Sequence, residues 1–141
     1  RAQIYGWESD LRYELNKWIY LSGNISITRG ENLTDDKDLE YMPPDKIQFS
    51  TGFKRDPLSF ELNFKKVFPQ TRLGEFETRT DGFSVMDING TYTIQLSNIS
   101  HKFIVQLDNI FNEVYYNHLS RIKTIMPEKG RSLNIQYRIV F

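Results

Sequence analysis

The segment Arg131-Ser132-Leu133-Asn134-Ile135-Gln136-Tyr137-Arg138-Ile139-Val140-Phe141 alternates between apolar and polar side chains. At this period of two, one face of a strand receives the apolar side chains, which are Leu133, Ile135, Tyr137, Ile139 and Phe141. The opposite face receives Ser132, Asn134, Gln136 and Arg138. A soluble strand averages about five or six residues, whereas a tilted strand that crosses a membrane needs roughly nine to eleven. The length and alternation therefore favour a strand with one face toward lipid and the other toward water.

The same alternation recurs in six segments upstream. These are residues 5–15, 19–28, 47–54, 58–65, 86–96 and 103–108. Ile104 interrupts the polar face of the last of them, and no segment with a helical period competes with any of them. The sequence therefore predicts an all-β fold, an antiparallel up-and-down meander of about seven long strands.

The connections between these segments alternate in length. Short ones are expected near residues 16–17, 55–57 and 97–100, and long ones at 30–44, 69–82 and 112–130. Because every second connection is long, all the long loops would lie at one end of the sheet. Bacterial outer-membrane barrels have this asymmetry, with short periplasmic turns and longer outer loops. A soluble β-sandwich alternates in the same way, but strand length and loop asymmetry favour the C-terminal part of a large transmembrane β-barrel.

Composition narrows the classes of function. The 141 residues carry 18 basic and 18 acidic side chains, so the net charge is zero, which argues against nucleic-acid binding. The chain has no cysteine, which removes disulfide scaffolds and thiolate zinc sites. It has no run of about 18 apolar residues, so a transmembrane helix is not expected. The first residues already fall in a strand pattern, and we therefore expect a piece of a longer polypeptide.

Several motifs, in order along the chain, resemble the end of the barrel of TonB-dependent outer-membrane receptors. Leu107-Asp108-Asn109-Ile110-Phe111-Asn112-Glu113-Val114-Tyr115-Tyr116-Asn117-His118 resembles the family's NLF-x-x-x-Y-x-x-H-like segment. Pro127-Glu128-Lys129-Gly130-Arg131 resembles its P-G-R step into the final strand, which here ends on the aromatic Phe141. Upstream, Tyr41-Met42-Pro43-Pro44 and Ile4-Tyr5-Gly6-Trp7-Glu8 resemble two of its strand starts.

The resemblance implies a barrel of about 22 strands whose lumen is plugged, the plug being an N-terminal domain. Residues 1–141 would be the C-terminal portion of the barrel domain, without the plug. The parent protein would lie in the bacterial outer membrane and import a scarce nutrient, such as a ferric siderophore, haem, a corrinoid or a glycan, by energy-coupled active transport. Its partners would be outer-membrane lipid, the barrel-assembly machinery, an inner-membrane energy-coupling complex acting on the plug, and a small nutrient ligand. Tyr137, Ile139 and Phe141 would form the assembly signal.

Two other functions stay open at this point. One is a passive porin or a structural outer-membrane barrel such as an adhesin. The other is a small soluble β-barrel that carries a lipophilic ligand and closes around an apolar interior.

Four aromatic residues lie within or near predicted strand ends, where the aromatic belts of a membrane protein are expected. They are Tyr13, Trp18, Tyr92 and Tyr137.

Few residues suggest chemistry at a site. His101 and His118, the only histidines, have no ligand-spaced partner, so we expect hydrogen-bonded or solvated side chains. One long loop carries four carboxylates that could bind Ca²⁺, but they lack EF-hand spacing and a solvated loop is expected; they are Asp35, Asp36, Asp38 and Glu40. No arrangement of nucleophile, base or phosphate-binding glycines points to a reaction. We expect no enzyme activity, no cofactor and no metal.

We expect structural roles for the charged residues of the first strand and for the Gly-Arg step before the last strand. Glu8, Asp10 and Arg12 predict a charge ladder facing the lumen, where they would either hydrogen-bond to the plug or be solvated. Gly130-Arg131 is expected to begin the final strand rather than to contact a ligand.

Overall fold

The computed structural model describes residues 1–141 and contains strands but no helix. The strands are β1 (Ala2–Glu14), β2 (Ile19–Asn32), β3 (Lys37–Asp38), β4 (Lys46–Arg55), β5 (Leu58–Val67), β6 (Phe83–Leu96), β7 (Ile99–Asp108) and β8 (Ser132–Val140). They form one sheet in the order β1-β2-β4-β5-β6-β7-β8, with β3 added to β2. The structure therefore has no helix long and apolar enough to cross a membrane.

Each strand pairs antiparallel with the next long strand along the chain. The predicted meander is therefore confirmed, and its seven long strands match the seven segments found in the sequence. β1 and β8 do not pair with each other, so the sheet is open. This is the architecture of a segment of β-barrel wall, not of a small barrel closed on an apolar interior.

Strand boundaries differ from the prediction at several points. Residues 30–32 were assigned to a long loop but belong to β2, and Arg55 was assigned to a turn but ends β4. The two-residue β3 was not predicted, because a strand this short leaves no period in the sequence. Ile99 and Ser100 were placed in a turn, but they belong to β7, and this placement was wrong. The turn is shorter because Ser97 takes a positive φ of 54°, which lets the chain reverse within two residues.

The register separates the side chains into two faces. The face that we call the apolar face pairs like with like: Trp7 with Ile27, Phe49 with Phe64, Leu62 with Ile88, Tyr92 with Phe103, and Val105 with Ile135. The other, the polar face, pairs Asp10 with Asn24, Ser50 with Asn63, Glu61 with Asn89, and Gln106 with Asn134. Since a slip of one residue would exchange the faces, the alternation fixes the register.

The sheet forms a single layer. Only 11 of 141 residues are buried, and large side chains of the apolar face are exposed, Ile135 to 70%. An exposed apolar face of this extent is characteristic of an interaction surface rather than of an ordinary soluble monomer.

The connections are sorted by length between the two ends of the sheet. The three long ones, residues 33–45, 68–82 and 109–131, lie at one end, here called the loop end. The short ones, residues 15–18, 56–57 and 97–98, lie at the opposite turn end. The predicted one-sided arrangement is confirmed. Tyr13, Trp18, Tyr92 and Tyr137 all lie toward the turn end, and Phe103 stacks on Tyr137 with ring centroids 4.9 Å apart.

Candidate functional site

A cavity of about 360 Å³ lies on the polar face at the loop end. Its strand side is formed by Lys46, Lys65, Val67 and Phe83, and the 109–131 loop covers it with residues 115–119. Small-molecule sites typically occupy about 300–1,000 Å³ and combine apolar walls with a few polar groups. Its size and mixed lining make this cavity the candidate functional site.

The apolar part of the cavity is a small cluster on the polar face of the sheet. Val67, Phe83 and Val85 are the buried hydrophobic residues of the chain, and Tyr115 packs against them. Phe83 and Tyr115 stack with ring centroids 4.1 Å apart. Burial raises the pKa of Tyr115, with nearby carboxylates adding to the effect, so its hydroxyl stays neutral.

Asn109 fixes the start of the 109–131 loop. Its backbone N–H donates to Asp87 Oδ1 at 2.7 Å, and its side-chain Nδ2 donates to the carbonyl of Glu113 at 2.9 Å. The backbone N–H of Glu113 donates back to Asn109 Oδ1 at 2.9 Å. Asn109 has a φ of 49°, a conformation that asparagine tolerates better than most residues. The asparagine of the motif therefore folds the loop over the cavity.

The other end of this loop is held by a second asparagine. The backbone N–H of Arg131 donates to Asn112 Oδ1 at 2.9 Å, just before β8 begins. This contact fits the expectation that Gly130-Arg131 leads into the final strand.

Glu77 joins the three long loops. Its carboxylate accepts the backbone N–H of Tyr41 at 2.8 Å and that of Gly74 at 3.1 Å. The same group faces His118 Nε2 at 3.2 Å. Tyr41 belongs to the 33–45 loop, Gly74 to the 68–82 loop and His118 to the 109–131 loop. One buried carboxylate therefore ties all three to one point.

The opposite ring nitrogen of His118 meets an alcohol and an ammonium group. Nδ1 lies 2.9 Å from Thr80 Oγ1 and 3.1 Å from Lys123 Nζ. Lys123 Nζ also donates to the Thr78 carbonyl at 2.7 Å and to Thr80 Oγ1 at 3.0 Å. We refer to Glu77, Thr80, His118 and Lys123 as the loop cluster.

These contacts determine the tautomer of His118. An ammonium group can only donate, so Nδ1 must accept from Lys123 and cannot carry a proton. In the neutral ring the proton is then on Nε2, which points toward the Glu77 carboxylate. That contact is close enough for an ion pair, but its angle does not make a hydrogen bond, and Nε2 has no other partner.

Burial and charge oppose protonation of His118. Burial lowers the pKa of His118, the ammonium group of Lys123 lowers it further, and Glu77 offsets only part of this. Burial by itself would raise the pKa of Glu77, but the amides of Gly74 and Tyr41, with the ammonium group of Lys123, hold it below its usual value. The cluster thus holds an ionised Glu77, a neutral His118 and a charged Lys123.

A further ion pair fastens the 33–45 loop to the sheet. Arg29 of β2 contacts both carboxylate oxygens of Asp45, at 2.5 and 2.8 Å. Arg72 of the next loop approaches the same carboxylate at 3.6 Å. The adjacent arginines hold the pKa of Asp45 below its usual range, Arg29 through its hydrogen bonds first.

Both histidines, expected to be hydrogen-bonded or solvated, have polar neighbours in the structure. His118 is 3% exposed within the loop cluster. His101 Nδ1 lies 2.6 Å from the Tyr137 hydroxyl on the apolar face, at the other end of the sheet. The four carboxylates of the 33–45 loop form no group that could hold a metal ion.

The predicted charge ladder lies on the polar face. Ser26 donates to Glu8 at 3.0 Å, and Asn24 donates to Asp10 at 2.8 Å. Arg12 pairs with neither of them but with Glu14, at 2.7 Å. The ladder is therefore a set of separate hydrogen bonds between β1 and β2, with one exposed ion pair.

Sequence reasoning missed Glu77, Lys123 and Phe83 as members of the site. Glu77 and Lys123 lie in loops without periodicity, and their partners are distant along the chain. Phe83 lies on the face predicted to be polar. An aromatic residue on that face is a sequence signal for a local apolar patch, and it could have identified this residue.

The structure was compared with known proteins. No protein-family model matches the chain. The structure is similar to that of the copper transporter OprC, with a TM-score of 0.86 and 25% sequence identity over 94% of this chain. The chain has a transporter-like β-barrel fold. The chain spans 23% of the length of that transporter.

Proposed function

We propose that this chain is part of the wall of an outer-membrane receptor that imports a scarce nutrient by energy-coupled active transport. The parent protein is a TonB-dependent receptor of a bacterial outer membrane in this proposal. Residues 1–141 supply the C-terminal strands of its barrel, and a plug supplied by another part of the polypeptide couples it to the inner membrane.

The separation of faces together with loop asymmetry carries the proposal. An apolar face that pairs like with like across seven long strands suits contact with lipid, and the polar face suits an aqueous lumen. All three long loops lie at one end, where a receptor would meet its ligand from outside. The likeness to a copper transporter supports transport as the activity and adds copper to the candidate nutrients.

The cavity gives the polar face a place for part of a ligand. It lies at the loop end, between the wall strands and the 109–131 loop, and combines the Phe83–Tyr115 stack with Lys46 and Lys65. Neither lysine has a carboxylate within ion-pair distance, so their charges are free to meet a ligand or the plug.

Uptake by cells that produce the full-length parent protein tests the proposal. Cells starved for iron, haem, corrinoid, glycan or copper are offered each labelled nutrient, with and without the inner-membrane energy-coupling complex. We expect one nutrient to enter only when both the parent protein and the complex are present. A small sugar that enters through a general porin is the control, because its entry should not depend on the complex.

A passive porin is the alternative outcome. Entry that needs the parent protein but continues unchanged without the coupling complex would support the porin and contradict energy-coupled import. Recovery of the parent protein in a soluble fraction, without detergent, would contradict the outer-membrane location.

A further inference from the structure

We propose that His118 is an acid-sensitive latch that holds the 109–131 loop over the cavity, and that its protonation expels Lys123 and opens the cavity wall. This inference concerns the regulation of the candidate ligand site and rests on the proposed function for its physiological meaning. The latch itself is a property of the loop cluster.

The geometry allows the closed state only for a neutral His118. In that state Nδ1 accepts from Lys123 at 3.1 Å, and Lys123 reaches across to the Thr78 carbonyl at 2.7 Å. Lys123 thereby joins the 109–131 loop to the 68–82 loop. A proton added from water would occupy Nδ1, which would then be a donor facing another donor.

Protonation also places two positive charges side by side. Imidazolium and ammonium groups about 3 Å apart in a partly buried site repel each other strongly. Lys123 is on an exposed loop and can turn into solvent, whereas His118 is 3% exposed and has no such freedom. The repulsion is therefore relieved when Lys123 turns into solvent. This breaks its contacts with Thr78 and Thr80, which join the 109–131 loop to the 68–82 loop, and so allows the loop to open.

The other charges near His118 do not cancel this effect. Glu77 faces the opposite nitrogen and favours the imidazolium, but the amides of Tyr41 and Gly74 already share its charge. Arg79 and Asp81 flank Thr80 and pair with each other at 3.3 Å in solvent.

The remaining charged groups line the cavity. They are Lys46 and Lys65 on the strands, and Glu128 on the loop. The two lysines and the one carboxylate leave this part of the wall with a positive balance. The net environment therefore still disfavours a second charge on the cluster.

The direction of the pH effect follows from linkage. In the open loop His118 takes its ordinary pKa of about 6.5, and in the closed loop the pKa is lower. The closed state is therefore fully stable above the ordinary value. It loses stability as the pH falls from the ordinary pKa of His118 to the lowered pKa of His118 in the closed loop. Within this window the closed-to-open ratio should fall by about tenfold per pH unit.

Hydrogen exchange of the full-length parent protein in detergent tests the latch. Protection of the backbone amides in peptides covering 114–126 is measured at pH about 7.5 and about 5, a range that brackets histidine titration, with labelling times corrected for intrinsic exchange. We expect protection in these peptides to fall at the lower pH, while that of β7 and β8 stays constant. Unchanged protection of 114–126 would overturn the proposal.

Three variants identify the group responsible. His118→Asn keeps an acceptor for Lys123 but does not titrate, and Lys123→Gln keeps a donor for Nδ1 without the charge. His118→Asn should abolish the pH response of 114–126. Lys123→Gln should weaken it, because the charge repulsion is gone while burial of His118 remains. A full response in either variant would contradict the latch. His101→Asn removes the other histidine of this chain and should leave the response intact. Because the readout is loop opening, a latch that works in a protein that imports nothing would separate this inference from the proposed function.

Discussion

Ile135 on β8 lies directly opposite Val105 on β7, and both side chains are exposed on the apolar face, to 70% and 44%. Their neighbours Asn134 and Gln106 oppose each other on the polar face. Two adjacent positions of one strand therefore meet different surroundings, which makes them a direct test of the assignment of faces.

Arginine should be tolerated at position 134 and not at position 135. Ile135→Arg would place a cation in lipid, at a cost of about 2–4 kcal/mol near the midplane, whereas Asn134→Arg would place it in a wet lumen at little cost. Folding free energies of the parent protein, measured by denaturant titration in lipid vesicles, give the comparison. The reverse ranking would mean that the faces are assigned backwards.

Deletion of Phe141 should lower the amount of parent protein in the outer membrane. The side chain is 92% exposed, so its loss removes almost no packing from the sheet. A fall in the outer-membrane level would therefore mean that the assembly machinery recognises Phe141. Tyr137 and Ile139, on the same face, would be the other residues of this signal. Quantitative immunoblotting of membrane fractions measures it. Phe141→Trp keeps an aromatic terminus and should insert normally, and undiminished insertion after the deletion would contradict the signal.

Asn109→Ala should loosen the 109–131 loop by about 2–5 kcal/mol. The change removes three side-chain hydrogen bonds from a residue that is 4% exposed. Two of them are 2.9 Å long and worth about 0.5–1.5 kcal/mol each, and the third, at 3.4 Å, adds little. It also places alanine at a φ of 49°, which costs about 1–2 kcal/mol more. Hydrogen exchange of the 110–118 amides in the parent protein gives the opening free energy.

Asn109→Gly is the matched control for that prediction. It also loses the hydrogen bonds, but glycine adopts a positive φ without strain. The alanine variant should therefore be the less stable of the two, and equal stability would show that the backbone conformation costs nothing here.

The alternation of side chains made the strands and faces predictable. In β8, for example, Leu133, Ile135 and Tyr137 each face an apolar residue of β7. Period two specifies which residues share a face, and the loop lengths specify which end they approach. The assignment failed at Ile99 and Ser100, where a two-residue turn replaced the longer one expected. Short turns depend on one residue with a positive φ, Ser97, and serine gives little sequence signal for it.

The loop cluster could not be predicted in the same way. Glu77, His118 and Lys123 meet only after three loops have folded back over the sheet, and loops have no period to align their residues. The motif that ends at His118 marked the correct loop. Its partners became visible only from their distances in the structure.

Residues 1–141 prepared alone in aqueous buffer should associate into oligomers. β1 and β8 each present an unpaired edge, and such edges recruit further strands. The exposed apolar face adds a second cause of association. Detergent separates the two, because a micelle covers the apolar face but leaves the strand edges able to pair. Sedimentation velocity should therefore show large heterogeneous species in buffer and smaller defined oligomers in detergent. A stable monomer in buffer would contradict both the open sheet and its lipid-facing surface.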